Sequence, residues 1–234
     1  MGALTVLQPA EEPPRPTRRL IGAWGSARRR RTLSSHCGRY DGDVREERIL
    51  TAATRLFFER GFDAVGVDEL GKAAGVSGPA IYRHFSSKHE ILSTLFDQAM
   101  DRLLLLVPEP TGDPQADLEA LVRAQAEFAL SDSELVSIYA REDRSLKPDA
   151  RRRLARRQRQ HVERWVQVLA RCAPQHDRDT LVTVAYATIG LLLSVAYWPQ
   201  DVRQVEALRE LAVDIALGAA AGGLAAHERP RDVV

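Results

Sequence analysis

The chain has 234 residues, 44% of them hydrophobic and 28% charged, a soluble globular composition long enough to bury one sizeable core or two modest ones. A net charge of +1 excludes a generic polycation, and two cysteines, Cys37 and Cys172, exclude a disulfide framework or a cysteine metal centre and point to a reducing, cytoplasmic setting. Leu, Ala and Arg abound while β-branched runs are short, so the expected fold class is all-α.

Residues 1–42 form a Pro-rich, aperiodic arm that is expected to be disordered on its own, and they lack the apolar core of a signal peptide. Residues 1–40 carry eight arginines against Glu11 and Glu12, a charge of +6, which leaves −5 on the rest of the chain. A basic arm before a mildly acidic body suits contact with an anionic polymer; a solubilising tail is the plainer alternative. Order is expected to begin near Asp43, an N-cap with Glu46 three residues on. Ile49, Ala53, Leu56 and Phe57 then repeat at helical spacing until Gly61 stops the helix.

A second helix is predicted over 67–75, with Val67, Leu70 and Ala74 facing inward and Asp68 and Glu69 in the first turn, where the helix dipole favours them. The tight turn AGVS leads to a third, short helix for which Ser77 is the expected cap and Pro79 a first-turn residue. Two short helices joined this way form a helix-turn-helix, whose second helix enters the DNA major groove. Gly75 permits the corner, while Gly78, Pro79 and Ala80 keep the leading end small enough to approach base edges. Tyr82 and His84 are placed for phosphate oxygens, Arg83 for guanine or phosphate, and Lys88 beside the next helix's N-terminus. From Ala73 through His89 every charge is positive, although residues 41–90 sum to −2. A helical hairpin with a solvated face is the competing reading.

The stretch from Ile49 to Leu92 resembles the DNA-binding domain of the TetR/AcrR family of bacterial transcriptional regulators. The resemblance rests on Ile49–Leu50, Ala52–Ala53, Leu56–Phe57, Gly61–Phe62, Ala73–Ala74–Gly75–Val76–Ser77, Ile81–Tyr82, His84–Phe85, Ser87–Lys88 and Ile91–Leu92. It implies an all-α homodimer with an N-terminal three-helix helix-turn-helix DNA-binding domain and a C-terminal helical ligand-binding and dimerisation domain. It also implies that Ser77, Gly78, Pro79, Ala80, Tyr82, Arg83, His84 and Lys88 occupy DNA-facing positions. Two departures stand out. Val65–Gly66–Val67 replaces a frequent Thr, which leaves the backbone N–H groups at Gly66 and Val67 for that phosphate contact, and Pro79 stands where Gly is common. The expected division is thus an arm at 1–42, the DNA-binding domain at 43–90, the ligand-binding and dimerisation domain at 91–225 and a tail at 226–234. Arg28 to Arg31 of the arm are candidates for an adjacent minor groove.

A fourth helix is expected from about Ser87 to Leu106 before the Pro108/Pro110 break, then helices at 114–130, 133–145, 148–172, 178–198 and 202–222. The stretch 180–200 has no charged side chain and is long enough to span a bilayer, but its Thr, Ser and Gly and the flanking Asp179 and Asp201 favour a protein core or subunit interface over a membrane. That helix and the Ala/Gly-rich 211–224 are the expected dimer interface. A ligand pocket is expected among the helices between Leu95 and Trp165, closed by the 180s helix. Phe96, Met100, Phe128, Ile138, Tyr139, Trp165 and Tyr186 are its candidate lining residues, suited to an apolar or amphipathic small molecule. The arginines of 151–165 offer either a solvated helix face or a counter-charge for an anionic ligand tail such as that of an acyl-coenzyme A.

No catalytic residue, cofactor site or metal site is expected. HExxH, GxSxG, a Walker loop and a GxGxxG following a strand are all missing, and none of the six histidines has a Glu three residues before it. The reading is therefore a double-stranded-DNA-binding regulator, a repressor released from a near-palindromic operator by a small molecule, with a DNA-binding protein lacking any small-molecule response, or a helical enzyme, as the alternatives.

Overall fold

The computed structural model describes residues 37–227, in which α-helices are joined by short turns and no strand occurs among the described residues. The arm, including Arg28 to Arg31, and the last residues of the tail lie outside that range. The first three helices are α1 (Cys37–Arg60), α2 (Val67–Ala74) and α3 (Gly78–Ile81), followed by α4 (Lys88–Leu106). Asp43 is not an N-cap, because α1 starts six residues earlier and runs straight through it. Gly38 and Gly42 each weaken a helix by about 1 kcal/mol relative to Ala but do not end this one.

The head is built on one face of each helix. Ile49, Ala53 and Phe57 of α1 close on Leu70 of α2, Ile81 of α3 and Ile91 of α4, all 0–1% exposed. Gly61 ends α1 in the left-handed region, with φ of 83°. Gly75 does the same for α2 at 67°, in a double closure: its N–H donates to Lys72 O, and the Val76 N–H donates to Gly71 O at 2.8 Å. Ser77 starts α3, but through its carbonyl, which accepts from Ala80 and Ile81; its hydroxyl caps nothing. The side-chain cap lies one helix later, where Ser87 Oγ accepts from Glu90 N–H and the Glu90 carboxylate accepts from the Ser86 backbone N–H.

Beyond the head come α5 (Pro114–Ser131), α6 (Ser133–Glu142), α7 (Pro148–Cys172), α8 (Arg178–Ser194), the single turn α9 (Gln200–Arg203) and α10 (Leu208–His227). Two expected helices end in 3-10 turns, at Asp143–Ser145 and Val195–Tyr197. The last helix begins at Leu208, not 202. Val202 and Val205 are exposed and give a helix nothing to bury, whereas Leu208, Ala212, Val213, Ala216 and Ala220 form a continuous buried stripe. Helices α5, α7, α8 and α10 pack around one core centred on Trp165, Leu169, Ala185 and Leu192.

Helix α8, extended by its 3-10 turn to Tyr197, is long and apolar enough to cross a membrane, with a mean hydropathy of 1.8. It packs on α5, α7 and α10 with Leu181, Ala185, Ile189 and Leu192 turned inward.

The loop before α5 is fastened by Asp117, which is 5% exposed. Thr111 donates its backbone N–H and hydroxyl to Asp117 Oδ1 at 2.7 and 2.8 Å, and Arg171 donates to Oδ2 at 2.6 Å. The Thr111 N–H, then Arg171, holds the carboxyl at about 2, below its ordinary 3.8. A carboxylate depressed on folding stabilises above its unfolded value and loses that contribution as the pH falls through the folded one. Asp117→Asn is therefore expected to lower Tm at neutral pH. The gap from the native chain should close as the pH drops from about 4 to about 2, read by calorimetry across that range.

Candidate nucleic-acid interface and apolar cavity

The tip of the head follows from how closely α2 and α3 approach. A Cβ on Gly71 would sit 2.9 Å from Val76 O and 3.1 Å from Gly78 N, so only glycine lets the turn lie against α2. The space a side chain at 78 would take is filled by the Asp68 carboxylate. The leading edge thus carries an acid close to Gly78 that the local run of positive charge does not reveal.

Ser77, Pro79, Tyr82 and Arg83 are exposed at this tip, Tyr82 at 58%, with Gly66 exposed at the start of α2. Val67, Gly78, Ala80 and His84 are half-buried. Among the described residues the side chains of Ser77, Tyr82, Arg83 and His84 form no hydrogen bond or ion pair, so their polar ends are available to an outside partner. Lys88 is different. Its ammonium donates to Phe62 O at 2.7 Å and Val65 O at 2.9 Å and lies 4.2 Å from the Phe62 ring centre, which makes it a strut inside the head.

A cavity of about 520 Å³ lies behind the head, walled by α4, α5, α6, α7 and α8. Phe96, Met100, Phe128, Tyr139 and Tyr186 line it. Ile138 and Trp165 do not: both are fully buried core residues. Arg159, one of the arginines of 151–165, also lines it, as do three polar groups that the sequence does not mark, Gln125, Gln158 and His161. Among the described residues Arg159 is the sole charged side chain in the wall and no carboxylate lines it. Burial, aided by Arg164, holds the His161 imidazole down at about 4, so the ring is neutral at physiological pH.

The other arginines of α7 are largely engaged. Arg153 pairs with Asp97 at 2.6 Å, Arg157 reaches Asp97 O and the Asp101 carboxylate, and Arg152 pairs with Asp149. Three of these ties fasten α7 to α4, beside the cavity. Head and cavity are also joined through α6: Glu142 Oε1 accepts from Phe62 N–H at 3.0 Å, and Arg141 donates to Phe58 O at 2.9 Å.

The comparisons agree with this layout. Residues 49–95 match the family model for bacterial regulatory proteins of the tetR family, and residues 111–219 match a tetracyclin repressor-like C-terminal domain. The transcriptional repressor KstR2 of Mycobacterium tuberculosis is 30% identical over 137 residues, covering 56% of this chain and 68% of its own. The chain belongs to the TetR family of bacterial regulatory proteins. The transcriptional activator FasR of Mycolicibacterium smegmatis is 38% identical over 95 residues, 39% of this TetR-family chain and 43% of FasR. EthR of the same organism aligns over 30% of its length, so the match spans less than half of these two relatives. Among solved structures, PfmR of Thermus thermophilus superposes with a TM-score of 0.65 at 25% identity over 74% of this chain and 97% of that one. AibR, solved with isovaleryl coenzyme A and operator DNA, superposes at 0.64 with 21% identity over 74% and 96% and shares the fold.

Proposed function

We propose that this chain is a homodimeric, ligand-responsive transcriptional repressor of the cytoplasm, which places the α2–α3 unit of each subunit in successive major grooves of a near-palindromic operator. The observation that carries the reading is the pairing of an unpartnered polar tip, at Ser77, Tyr82, Arg83 and His84, with an apolar cavity walled by α4, the helix that starts at the head. Gly66, Val67, Gly78, Pro79 and Ala80 let the backbone approach the duplex, and Arg83 is the side chain assigned to a base edge or phosphate.

The dimer is assigned to α8 and α10. Thr183, Tyr186, Ala187 and Gly190 form an exposed uncharged stripe on α8, beside Leu211, Ile215, Gly218 and Gly222 on α10. Two such helices from each subunit make a four-helix interface in which small residues permit close approach. Operator half-sites about 34 Å apart require such a pairing.

An apolar or amphipathic small molecule in the cavity would press on Phe96 and Met100 of α4 and on Leu135 and Tyr139 of α6, the two helices tied to the head through Lys88 and through Glu142 and Arg141. If it favours a head spacing unlike the DNA-bound one, each ligand weakens the other by the same factor. Glu142→Ala removes one tie without touching the tip or the cavity wall. Its operator affinity without ligand is expected to stay within about threefold of native, while ligand-induced release weakens by on the order of 1 kcal/mol, about fivefold. Titrating operator with and without ligand checks both.

The governing experiment is selection from random duplexes with the full chain, followed by sedimentation and ligand-dependent operator titration. A palindromic consensus bound by a dimer and released by an apolar compound supports the reading. A chain that is monomeric at micromolar concentration and binds no duplex overturns it. Long-chain acyl-coenzyme A belongs in that ligand panel, with Arg159 as the available counter-charge for its phosphates. Deleting residues 1–35 in the same assay is expected to flatten the salt dependence of binding if Arg28 to Arg31 contact DNA.

A further inference from the structure

The two acids in the first turn of α2 have different surroundings. Glu69 is paired with Arg60 of α1. Asp68 is exposed and forms no hydrogen bond or ion pair among the described residues. Its Oδ1 fills the place that a Cβ on Gly78 would take, so the carboxylate lies across the first residue of α3. Gly66, two residues before Asp68, and Ser77 and Pro79, on either side of Gly78, are exposed as well. From Ala73 through His89 the sequence has no acid at all. A carboxylate with no cation beside it therefore sits at the leading end of α3, on the surface that meets phosphates.

That placement has a cost and a use. Close to a duplex an unpaired carboxylate is repelled by the phosphates, which weakens binding to every sequence alike. The repulsion is offset where the carboxylate accepts a hydrogen bond. In the major groove guanine shows acceptors at N7 and O6, and thymine shows one at O4. Adenine has its N6 donor beside the N7 acceptor, whereas cytosine shows the N4 amino donor alone. With the α2–α3 tip read as the operator-binding surface, we propose that Asp68 is a specificity-determining residue that accepts a hydrogen bond from cytosine N4 at one position of each half-site. Gly78 is part of the device, because any side chain there would have to displace the carboxylate from the end of α3.

The test is selection from random duplexes with the full native chain, with Asp68→Asn and with Asp68→Ala. The native consensus is expected to hold a cytosine at one position of each half-site, preferred over thymine by about tenfold in direct titration. Asp68→Asn has nearly the same shape but offers an acceptor and a donor together, the pattern that matches adenine N7 and N6. The same position is expected to change to adenine while the others stay. Asp68→Ala is expected to take all four bases there within about threefold and to bind duplexes lacking the site more tightly. A purely structural role would lower affinity evenly and leave the consensus as it was. The assignment is overturned by one consensus shared by all three proteins, by preferences lost at several positions together, or by an altered position that is not cytosine for the native chain. Each of those results leaves the tip as the DNA interface. A native chain that selects no duplex overturns both. Should Asp68→Ala not fold, the native chain against Asp68→Asn decides alone.

Discussion

Gly71→Val is expected to abolish operator binding while leaving a folded protein of unchanged mass. The residue is buried in the middle of α2, and a Cβ there would meet Val76 O at 2.9 Å, Gly78 N at 3.1 Å and Ser77 C at 3.2 Å. All three are backbone atoms of the turn and the start of α3, so no side chain can swing aside to make room. The turn must retreat from α2, carrying Ser77, Pro79 and Tyr82 with it. Overpacking of this kind costs about 1–3 kcal/mol, which a protein of this size registers as a fall in Tm of roughly 2–12 °C. The effect on recognition is larger, because contacts to base edges tolerate little displacement and the dimer presents two shifted heads at once. A loss of at least about thirtyfold in operator affinity is expected from one lost base contact of about 1–3 kcal/mol in each half-site. The cavity is remote from α2, so ligand affinity measured by calorimetry should be unaltered. Operator affinity within about threefold of native would show that α3 does not depend on this close approach.

Gly71 also shows where sequence reading stops short. A glycine inside a helix costs about 1 kcal/mol relative to alanine and signals a packing reason, but the sequence does not say what packs there. Gly61 and Gly75 were legible because each follows the last apolar residue of a periodic run, where a left-handed turn is the usual end. The limits of α7 were legible too, since Pro148 opens it and the chain after Cys172 supplies a loop and Pro174. Asp43 misled because it has the chemistry of a cap, while nothing in residues 37–42 is strong enough to stop a helix there.

The cavity divides along a similar line. Periodicity marks Phe96, Met100, Ile138 and Trp165 alike as inward-facing, and does not distinguish a residue that meets a void from one that meets another side chain. Trp165 carries a hint in its indole N–H, which when buried calls for a partner, and that partner is His161 four residues before it. Gln125, which meets His161 Nε2 at 2.9 Å, has no counterpart signal, because that contact exists only once α5 lies against α7.

Lys88→Met is expected to destabilise the head without changing the salt dependence of operator binding, and that combination separates a strut from a phosphate contact. In the structure the ammonium satisfies two carbonyls, Phe62 O and Val65 O, across the loop between α1 and α2, and stacks on the Phe62 ring. Met keeps most of the alkyl stem, so packing is largely conserved while both charged hydrogen bonds are lost. Hydrogen bonds to charged groups contribute about 1.5–3 kcal/mol each. Lys88 is only half-buried and water reaches the freed carbonyls, so the lower end of that range for the pair is expected, a fall in Tm of roughly 3–6 °C. Operator affinity should drop because the α1–α2 loop positions Gly66 and Val67, but the slope of log affinity against log salt should match the native chain. If Lys88 instead neutralised a phosphate, the slope would fall by about one per half-site, with Tm hardly altered. The strut also begins α4, the helix that forms part of the cavity wall, so the same substitution is expected to reduce ligand-driven release by the coupling it carries, in the direction expected for Glu142→Ala. A variant with native Tm and a shallower salt slope would return Lys88 to the DNA interface and remove it from the path between cavity and head.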